Sequence, residues 1–361
     1  MADTFKHFRP PGLRRTLAFL LLTLLATPAV ADKVDDYVSG EMQRRQVPGL
    51  ALAVIRNGKT FKTKGYGMAN LELRVRATPE TVFEIGSLTK QFTAVCIMML
   101  VQEGKLGLDD PMDKYLDVPV AWKAITLRHL LTHTSGIKNY TNVPGFEGSR
   151  HLTTKEFVEK ISAYPLASTP GETFAYCNSG YNLLGFIIEK ISAKNYWQFL
   201  AERILNPLRM TSTQSRDQRV IIASRAAGYE KEKDRLINRD PDLTDVFAAG
   251  AIVSTVLDLA KWNAALDSDR LLSRSSRETL WTSFKLNAGK LSLYGFGWRV
   301  DDYKGRKNIG HSGSTSGFSA SLQRFPQDKL AIILLCNSGE PNVATTLARD
   351  IADFYLPAAT R

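Results

Sequence analysis

The sequence predicts an α/β (α+β) fold in which helices flank one antiparallel sheet built around a mostly helical inserted region. Two observations carry this prediction: strand patterns lie near both ends of the chain, and a long region of helical pattern separates them. The sheet is expected from residues 32–86 and 292–361, and the helical region spans about residues 87–291. No internal repeat or long linker interrupts this arrangement, so residues 32–361 are expected to form one domain.

The N-terminal segment is predicted to contribute a helix and a β-hairpin. The helix is expected over residues 34–45, and the runs 50–56 and 61–66 are rich in residues that favour strands. The dipeptide Asn57-Gly58 between the two runs favours a tight hairpin turn, because both residue types tolerate positive φ. The chain is therefore expected to open with a helix followed by a hairpin.

A long apolar helix is predicted to begin near Ser87, and four strand patterns with a final helix are predicted near the C-terminus. The turn residues Pro326-Gln327-Asp328 separate the last two strands. These strands are expected over residues 295–301, 307–311, 318–324 and 329–337, and the final helix over residues 343–354.

The first 31 residues have the pattern of a secretory signal peptide. Basic residues, including Arg14-Arg15, precede an apolar run over 17–26, and Ala29-Val30-Ala31 follows as a cleavage signal. A retained membrane anchor is the rival interpretation, but this run is too short for a bilayer core that needs about 20 residues. We expect cleavage after Ala31, a periplasmic or secreted protein and no membrane span after cleavage, with either general or twin-arginine export.

Composition and charge narrow the function classes. Hydrophobic residues make up 44% of the chain and charged residues 23%, which excludes a disordered or fibrous protein. The net charge of +11 favours anionic partners such as cell-wall polymers, although the basic residues are scattered along the sequence. The sequence has no basic stripe with interleaved aromatic residues and no zinc-finger spacing, so nucleic acid is not an expected partner.

The cysteines and histidines suggest no metal or redox chemistry. One disulfide among Cys96, Cys177 and Cys336 is arithmetically possible, but buried thiols are the favoured interpretation. His129 and His133 are four residues apart and resemble a metal-binding pair, yet no glutamate follows the first histidine and no third ligand is apparent. We expect no bound metal. The loop that begins at His133 is instead expected to pack beneath the catalytic site whose candidate residues are described below.

The tetrapeptide Ser87-Leu88-Thr89-Lys90 is the first candidate catalytic motif. Three residues are close to one helical turn, so Lys90 is expected on the same face as Ser87. A lysine desolvated under an apolar helix can serve as a base, and a helix N-terminus favours negative charge that develops at the serine. The pattern is typical of a serine acyl-transfer enzyme, but a helix start with an exposed lysine is the alternative.

Tyr176-Cys177-Asn178 is a second polar cluster, placed just before a helical run over residues 183–191. In a tight turn the phenol and the amide can both point into a cleft. A neighbouring lysine can lower the pKa of a tyrosine enough for its oxygen to act as a base. The alternative is structural, with Asn178 capping the helix and Tyr176 packed beneath it.

Gly310-His311-Ser312-Gly313-Ser314 ends a strand pattern and forms the third cluster. Glycines let a ligand approach the backbone, and a strand edge offers N–H and C=O groups to a peptide-like substrate. A plain transition from strand to turn is the alternative interpretation.

In this order the three clusters resemble the active-site motifs of the serine beta-lactamase and penicillin-binding protein superfamily. They are most similar to the motifs of class C beta-lactamases and their relatives, which include DD-carboxypeptidases, D-aminopeptidases and esterases. The resemblance implies a beta-lactamase/DD-peptidase-like fold. Similar flanking stretches extend it over nearly all of the mature chain: residues 83–87, 130–136, 170–171, 254–259 and 294–298.

The resemblance also implies a role for each motif residue. Ser87 is the expected nucleophile, and Lys90 and Tyr176 share the proton transfers in an order that the sequence leaves open. Asn178 is expected to bind the acyl-side amide of the substrate. The backbone N–H groups of Ser87 and Ser314 are expected to form the oxyanion hole.

His311 stands where many relatives carry lysine, and Ser312 and Gly313 accompany it at the expected substrate edge. Imidazole is mostly neutral at pH 7, so a permanent cation for a substrate carboxylate is missing from this motif. This departure weakens the case for strong beta-lactamase activity and favours peptidase or esterase chemistry. Cys177 replaces the serine often found in the second motif and is small enough to be tolerated.

The predicted function is an exported serine hydrolase that cleaves an amide or ester through an acyl-enzyme. A D-Ala-D-Ala type peptide is the favoured substrate, and peptidoglycan is the candidate cell-wall partner. A beta-lactamase is one alternative, although it also needs fast deacylation by a positioned water. A penicillin-binding sensor or scaffold that acylates slowly is another. None of these functions calls for a metal or an organic cofactor.

Overall fold

The computed structural model describes residues 33–144, 146 and 152–357. The predicted signal peptide and its cleavage point lie outside the described residues. Among the described helices, none has both the length and the apolar character that crossing a membrane requires.

Strands from both ends of the chain form the central sheet. The strands of the described residues are β1 (Gly49–Arg56), β2 (Lys59–Asn70), β3 (Val75–Arg76), β4 (Phe83–Glu84), β5 (Gln214–Ser215), β6 (Gly228–Glu232), β7 (Arg235–Arg239), β8 (Ile252–Ser254), β9 (Arg299–Tyr303), β10 (Arg306–Thr315), β11 (Phe318–Phe325) and β12 (Leu330–Cys336). Seven of them form an antiparallel sheet in the order β3-β2-β1-β12-β11-β10-β9, and two small sheets have the orders β4-β8-β5 and β6-β7.

Helices cover both faces of the central sheet. The α-helices of the described residues are α1 (Lys33–Arg45), α2 (Thr89–Gln102), α3 (Leu127–Leu131), α4 (Thr154–Ser162), α5 (Asn178–Ser192), α6 (Tyr196–Leu200), α7 (Asn206–Leu208), α8 (Phe247–Gly250), α9 (Val256–Leu266), α10 (Arg274–Leu280) and α11 (Val343–Asp353). A π-helical segment over Ala201–Leu205 joins α6 to α7.

The central strands are buried on both faces because their sequences are apolar without alternation. β1 and β12 pair directly, with Leu52 opposite Leu334. Leu52 and Leu334 pack with α1 and α11 on one face of the sheet, whereas Ala51 and Leu335 belong to the larger core formed with the helical region. The two cores therefore hold the sheet between the terminal helices and the inserted ones.

The predicted fold class is confirmed. The hairpin turns at Asn57 and Gly58, whose φ angles are 52° and 72°. The strand predicted over residues 295–301 begins only at Arg299, because the preceding residues form a turn in which Gly297 has a φ of 79°. The two small sheets were not predicted, since strands of two to five residues leave little pattern in a sequence.

The cysteines are free and buried, as the thiol interpretation predicted. No group of three or more potential metal ligands occurs in the part of the chain that the structure describes. The two histidines of the candidate metal pair instead bind backbone amides. Nδ1 of His129 accepts from Thr126 N at 3.2 Å, and Nδ1 of His133 accepts from Cys177 N at 3.1 Å.

Candidate active site

The candidate nucleophile Ser87 lies in the 3-10 turn Gly86–Leu88, which leads directly into α2. The serine therefore precedes the α-helix rather than occupying its first turn. Lys90 lies in that first turn, and its Nζ is 3.0 Å from Ser87 Oγ. The same Nζ donates to the backbone oxygen of Ala249 at 2.7 Å. Two contacts thus fix the amine beside the serine hydroxyl.

Lys90 is fully buried. Its Nζ lies 4.8 Å from the ring centre of Tyr176 and 5.6 Å from that of Tyr181. Burial lowers the pKa of Lys90 well below its usual value, because the apolar surroundings disfavour the charged amine. This shift favours the neutral amine, whose lone pair can accept a proton.

Tyr176 has a buried hydroxyl near Ser87. The phenol oxygen has no hydrogen bond of acceptable geometry to any described residue. Burial raises the pKa of Tyr176, and the nearby Ser87 hydroxyl only partly opposes this rise. The sequence suggested that a neighbouring lysine can lower this pKa, whereas the net shift is upward because burial of the phenol outweighs the opposing effects of Ser87 and Arg299. Tyr176 is thus held as a protonated phenol.

His133 holds the turn that carries Tyr176. Its backbone oxygen accepts from Ala175 N at 2.9 Å, and its Nδ1 accepts from Cys177 N at 3.1 Å, so the two hydrogen bonds bracket Tyr176. The centres of the His133 and Tyr176 rings are 4.3 Å apart. The loop expected to pack under the site therefore binds the second motif directly.

Asn178 is the first residue of α5, and Cys177 takes the N-cap position. The capping role considered for Asn178 is thus not observed. Its backbone N–H donates to Asn139 Oδ1 at 3.1 Å. Its side chain makes no hydrogen bond to the described residues and remains available to a ligand. The amide oxygen can accept a hydrogen bond from a peptide, and the amide nitrogen can donate one.

The third motif lies on a strand edge that is only partly paired. β10 pairs with β11 from Ile309 to Thr315, but its pairing with β9 ends at Gly310. The edge from His311 onward therefore has no strand neighbour on the β9 side, and Ser314 is exposed. A free edge of this kind can bind an extended peptide through its backbone.

Close backbone contact joins the first and third motifs. A Cβ on Gly86 would lie 2.7 Å from Ser314 N, and a Cβ on Gly313 would lie 1.9 Å from the backbone oxygen of Ile85. Neither position can accept a side chain without movement of the backbone. Glycine at both positions thus lets the segments that carry Ser87 and Ser314 pack directly against each other.

His311 is buried, and both of its ring nitrogens contact the protein. Nδ1 lies 2.5 Å from the backbone oxygen of Ser312, and Nε2 lies 2.8 Å from the Tyr294 hydroxyl. A carbonyl only accepts, so Nδ1 carries the hydrogen and Tyr294 donates to Nε2. Burial is the main cause that lowers the pKa of His311 to about 3. The imidazole is therefore neutral, as its residue type suggested.

Ser312 and Arg299 line a shared cavity of about 360 Å³ that extends toward α11. Arg299 pairs with Gly310, and successive residues of a strand face opposite sides, so Ser312 and Arg299 lie on the same side of the sheet.

The sequence reasoning missed Arg299. It is paired with Gly310 at the start of β9, it is exposed, and it makes no hydrogen bond or ion pair to the described residues. Burial dominates the pKa values of Tyr176 and His311, and the Arg299 charge acts on both as a smaller effect. Its position on a neighbouring strand, close to the third motif, was the available signal.

The chain is similar to known proteins over most of its length. The beta-lactamase family model matches residues 34–356. Protein flp of Staphylococcus aureus is 29% identical over 317 residues, which cover 84% of this chain and 62% of that protein. The chain thus matches less than two thirds of that relative's length.

Two solved structures are similar over most of the chain. The octameric penicillin-binding protein homologue from Pyrococcus abyssi has a TM-score of 0.79 and 33% identity, covering 89% of this chain and 76% of that one. The D-stereospecific amidohydrolase from Streptomyces sp. has a TM-score of 0.71 and 27% identity, covering 81% of this chain and 90% of that one.

Proposed function

The chain belongs to the beta-lactamase family, and we propose that it is a serine hydrolase that cleaves an amide or ester through an acyl-enzyme on Ser87. One observation carries the proposal: the amine of a fully buried lysine, Lys90, lies 3.0 Å from Ser87 Oγ. A structural lysine would be solvated or paired with a carboxylate, and Lys90 has neither environment.

Acylation begins when Ser87 Oγ attacks the substrate carbonyl and passes its proton to Lys90 Nζ. The neutral amine has the lone pair that this step needs, and the Ala249 carbonyl orients it by accepting one N–H. The backbone N–H groups of Ser87 and Ser314 bind the oxygen that becomes negative. Each such donor contributes about 3 kcal/mol to transition-state stabilisation in comparable sites.

The tetrahedral intermediate collapses when the leaving group takes a proton. Tyr176 suits this step because burial keeps its phenol protonated and its hydroxyl hydrogen has no partner among the described residues. The phenolate is then neutralised by the proton held on Lys90. Water attacks the acyl-enzyme in the second half of the reaction and reverses the same transfers.

A D-Ala-D-Ala type peptide is the proposed substrate. The free edge of β10 from His311 onward can bind its backbone, and the Asn178 side chain can bind its acyl-side amide. Arg299 offers the cation for a terminal carboxylate that the third motif lacks. The likeness to a D-stereospecific amidohydrolase supports D-configuration at the scissile bond. Cell-wall stem peptides would supply such a substrate to an exported enzyme.

The test compares the purified protein with its Ser87→Ala and Lys90→Met variants. Each is incubated with a fluorescent penicillin and with four substrates: a D-Ala-D-Ala peptide, its L-Ala-L-Ala isomer, nitrocefin and p-nitrophenyl acetate. Intact mass spectrometry locates any adduct. Lys90→Met keeps the bulk and the burial but removes the base, and Lys155→Met, at an exposed lysine on α4, is the matched control.

We expect a penicillin adduct and turnover of the D-peptide that are lost in both site variants and kept in Lys155→Met. Fast nitrocefin turnover would instead favour a beta-lactamase, and an adduct without any turnover would favour a sensor. Unchanged ester and peptide rates in Lys90→Met would overturn the mechanism.

A further inference from the structure

A buried carboxylate links the two backbone segments that meet at Ser87. Glu84 is in β4, three residues before Ser87, and its side chain is completely inaccessible to solvent. Thr315 ends β10 and directly follows Ser314. The Thr315 hydroxyl donates to Glu84 Oε2 at 2.7 Å. One hydrogen bond therefore connects the strand before the serine with the strand that carries the Ser314 amide.

The other oxygen of Glu84 is also occupied. Arg216 Nε donates to Glu84 Oε1 at 3.3 Å, and the same guanidinium donates to Asp240 at 2.5 Å. Asp240 in turn accepts from Arg225 at 2.8 Å. These are the charged groups that face Glu84 from the β5 and β7 sides. The carboxylate thus cannot turn away from Thr315 without giving up the arginine.

Stability alone does not account for this pair. A buried ion pair can often be replaced by well-packed apolar residues with little loss of stability. The end of β10 has a different need, because its pairing with β9 stops at Gly310 and a turn follows Thr315. An oxyanion hole functions only if its donors are held about 2.7 to 3.1 Å from the position of the developing charge.

We propose that Glu84 and Thr315 are positioning residues for the oxyanion hole: their hydrogen bond holds the end of β10, and with it the Ser314 amide, against the segment that carries Ser87. The inference rests on the proposed acyl-transfer function. Glu84 thereby contributes to catalysis, which its buried position alone would not suggest.

The experiment uses the full protein with Thr315→Val, Thr315→Ser, Glu84→Gln and the double variant Glu84→Gln/Thr315→Val. Valine keeps the branched shape of threonine without the hydroxyl, and serine keeps the hydroxyl without the branch. Hydrolysis of p-nitrophenyl acetate gives kcat and KM. Hydrogen exchange at the backbone amides around Ser314 measures how firmly the end of β10 is held, and it needs no substrate. We call the hydrogen bond between Thr315 and Glu84 the tether.

We expect Thr315→Val to lower kcat about ten-fold with KM within two-fold, and Thr315→Ser to stay within two-fold of the parent in both. The double variant should lose no more than Thr315→Val alone, because Glu84 acts on β10 only through the hydrogen bond that valine already removes. Equal kcat in Thr315→Val and the parent, or equal losses in the valine and serine variants, would overturn the inference.

Failure of the proposed function would look different. In that case the parent and Ser87→Ala would hydrolyse the ester equally. Hydrogen exchange alone would then test whether Thr315 holds the end of β10. Faster exchange at Ser314 in Thr315→Val than in Thr315→Ser would support the tether, and equal exchange would contradict it.

Discussion

The Tyr294 hydroxyl donates to Nε2 of His311 across 2.8 Å, while Nδ1 of the same ring bonds to the backbone oxygen of Ser312. Both nitrogens of the imidazole are therefore engaged within the protein. This explains how a neutral histidine can stand at a position where a lysine would supply a charge. The neutral ring therefore offers no cation for a substrate anion.

Replacing Tyr294 by Phe should lower kcat about ten-fold. The ring packing stays, but Nε2 of a buried imidazole loses its donor, which costs about 1 to 3 kcal/mol and frees the ring to turn. Tyr37→Phe is the matched control, because it removes one tyrosine hydrogen bond, to Asp350, on the far side of the sheet. Similar kcat values for the two variants in steady-state assays would contradict the role of Tyr294.

The sequence was sufficient to identify the three motifs, because each motif is a short run of neighbouring residues. Ser87 and Lys90 are one turn apart, so their contact follows from helical geometry. Glu84 and Thr315 are 231 positions apart, and their hydrogen bond depends on how β4 meets the end of β10. No spacing within a single sequence encodes such a contact.

The electrostatics of the site were predictable only in part. A buried lysine was expected from the apolar helix, and the direction of its pKa shift follows from burial. The upward shift at Tyr176 was not expected, because it comes from burial of the phenol, and that burial depends on the tertiary packing around the turn. The cation at Arg299 was also missed, since its place beside the third motif depends on the register of β9 against β10.

His133 should act on catalysis through Tyr176. His133→Asn places Oδ1 where Nδ1 accepts from Cys177 N, whereas His133→Phe keeps the ring and removes the acceptor. We expect kcat to fall more in the phenylalanine variant than in the asparagine variant, with KM unchanged in both, because the hydrogen bond orients the turn around Tyr176.

His129→Phe is the control for this pair, since Nδ1 of His129 also accepts a backbone N–H, from Thr126, but lies one turn away. It should leave kcat within two-fold. A larger loss in His133→Asn than in His133→Phe would show that ring packing, and not the hydrogen bond, is what matters.

Arg299 should discriminate between a free carboxylate and its amide. Arg299→Gln is expected to raise KM about ten-fold for a D-Ala-D-Ala peptide and to leave KM for the C-terminal amide of that peptide unchanged. Because the guanidinium is exposed, the preference of the parent for the carboxylate should weaken as salt rises. Arg274→Gln, at an exposed arginine on α10, is the control, and equal effects of Arg299→Gln on both peptides would rule out carboxylate binding.

Glu84 should make stability depend on pH. Burial is the main cause that raises the pKa of Glu84 to about 7 from its usual value of 4.5, and Thr315 and Arg216 oppose it. The folded protein therefore binds a proton more tightly than the unfolded chain does. Between these two values the free energy of unfolding falls as pH rises, by about 3 kcal/mol at most, and the loss is complete above pH 7.

Glu84→Gln cannot titrate and should lack this component. Urea unfolding of the parent and the variant from pH 4.5 to 8 isolates it, because the other titrating groups cancel in the difference between the two proteins. We expect the variant to gain stability relative to the parent as pH rises through this window, whatever the offset at pH 4.5. A difference that does not change with pH would mean that Glu84 is already ionised throughout, and that Arg216 offsets its burial fully.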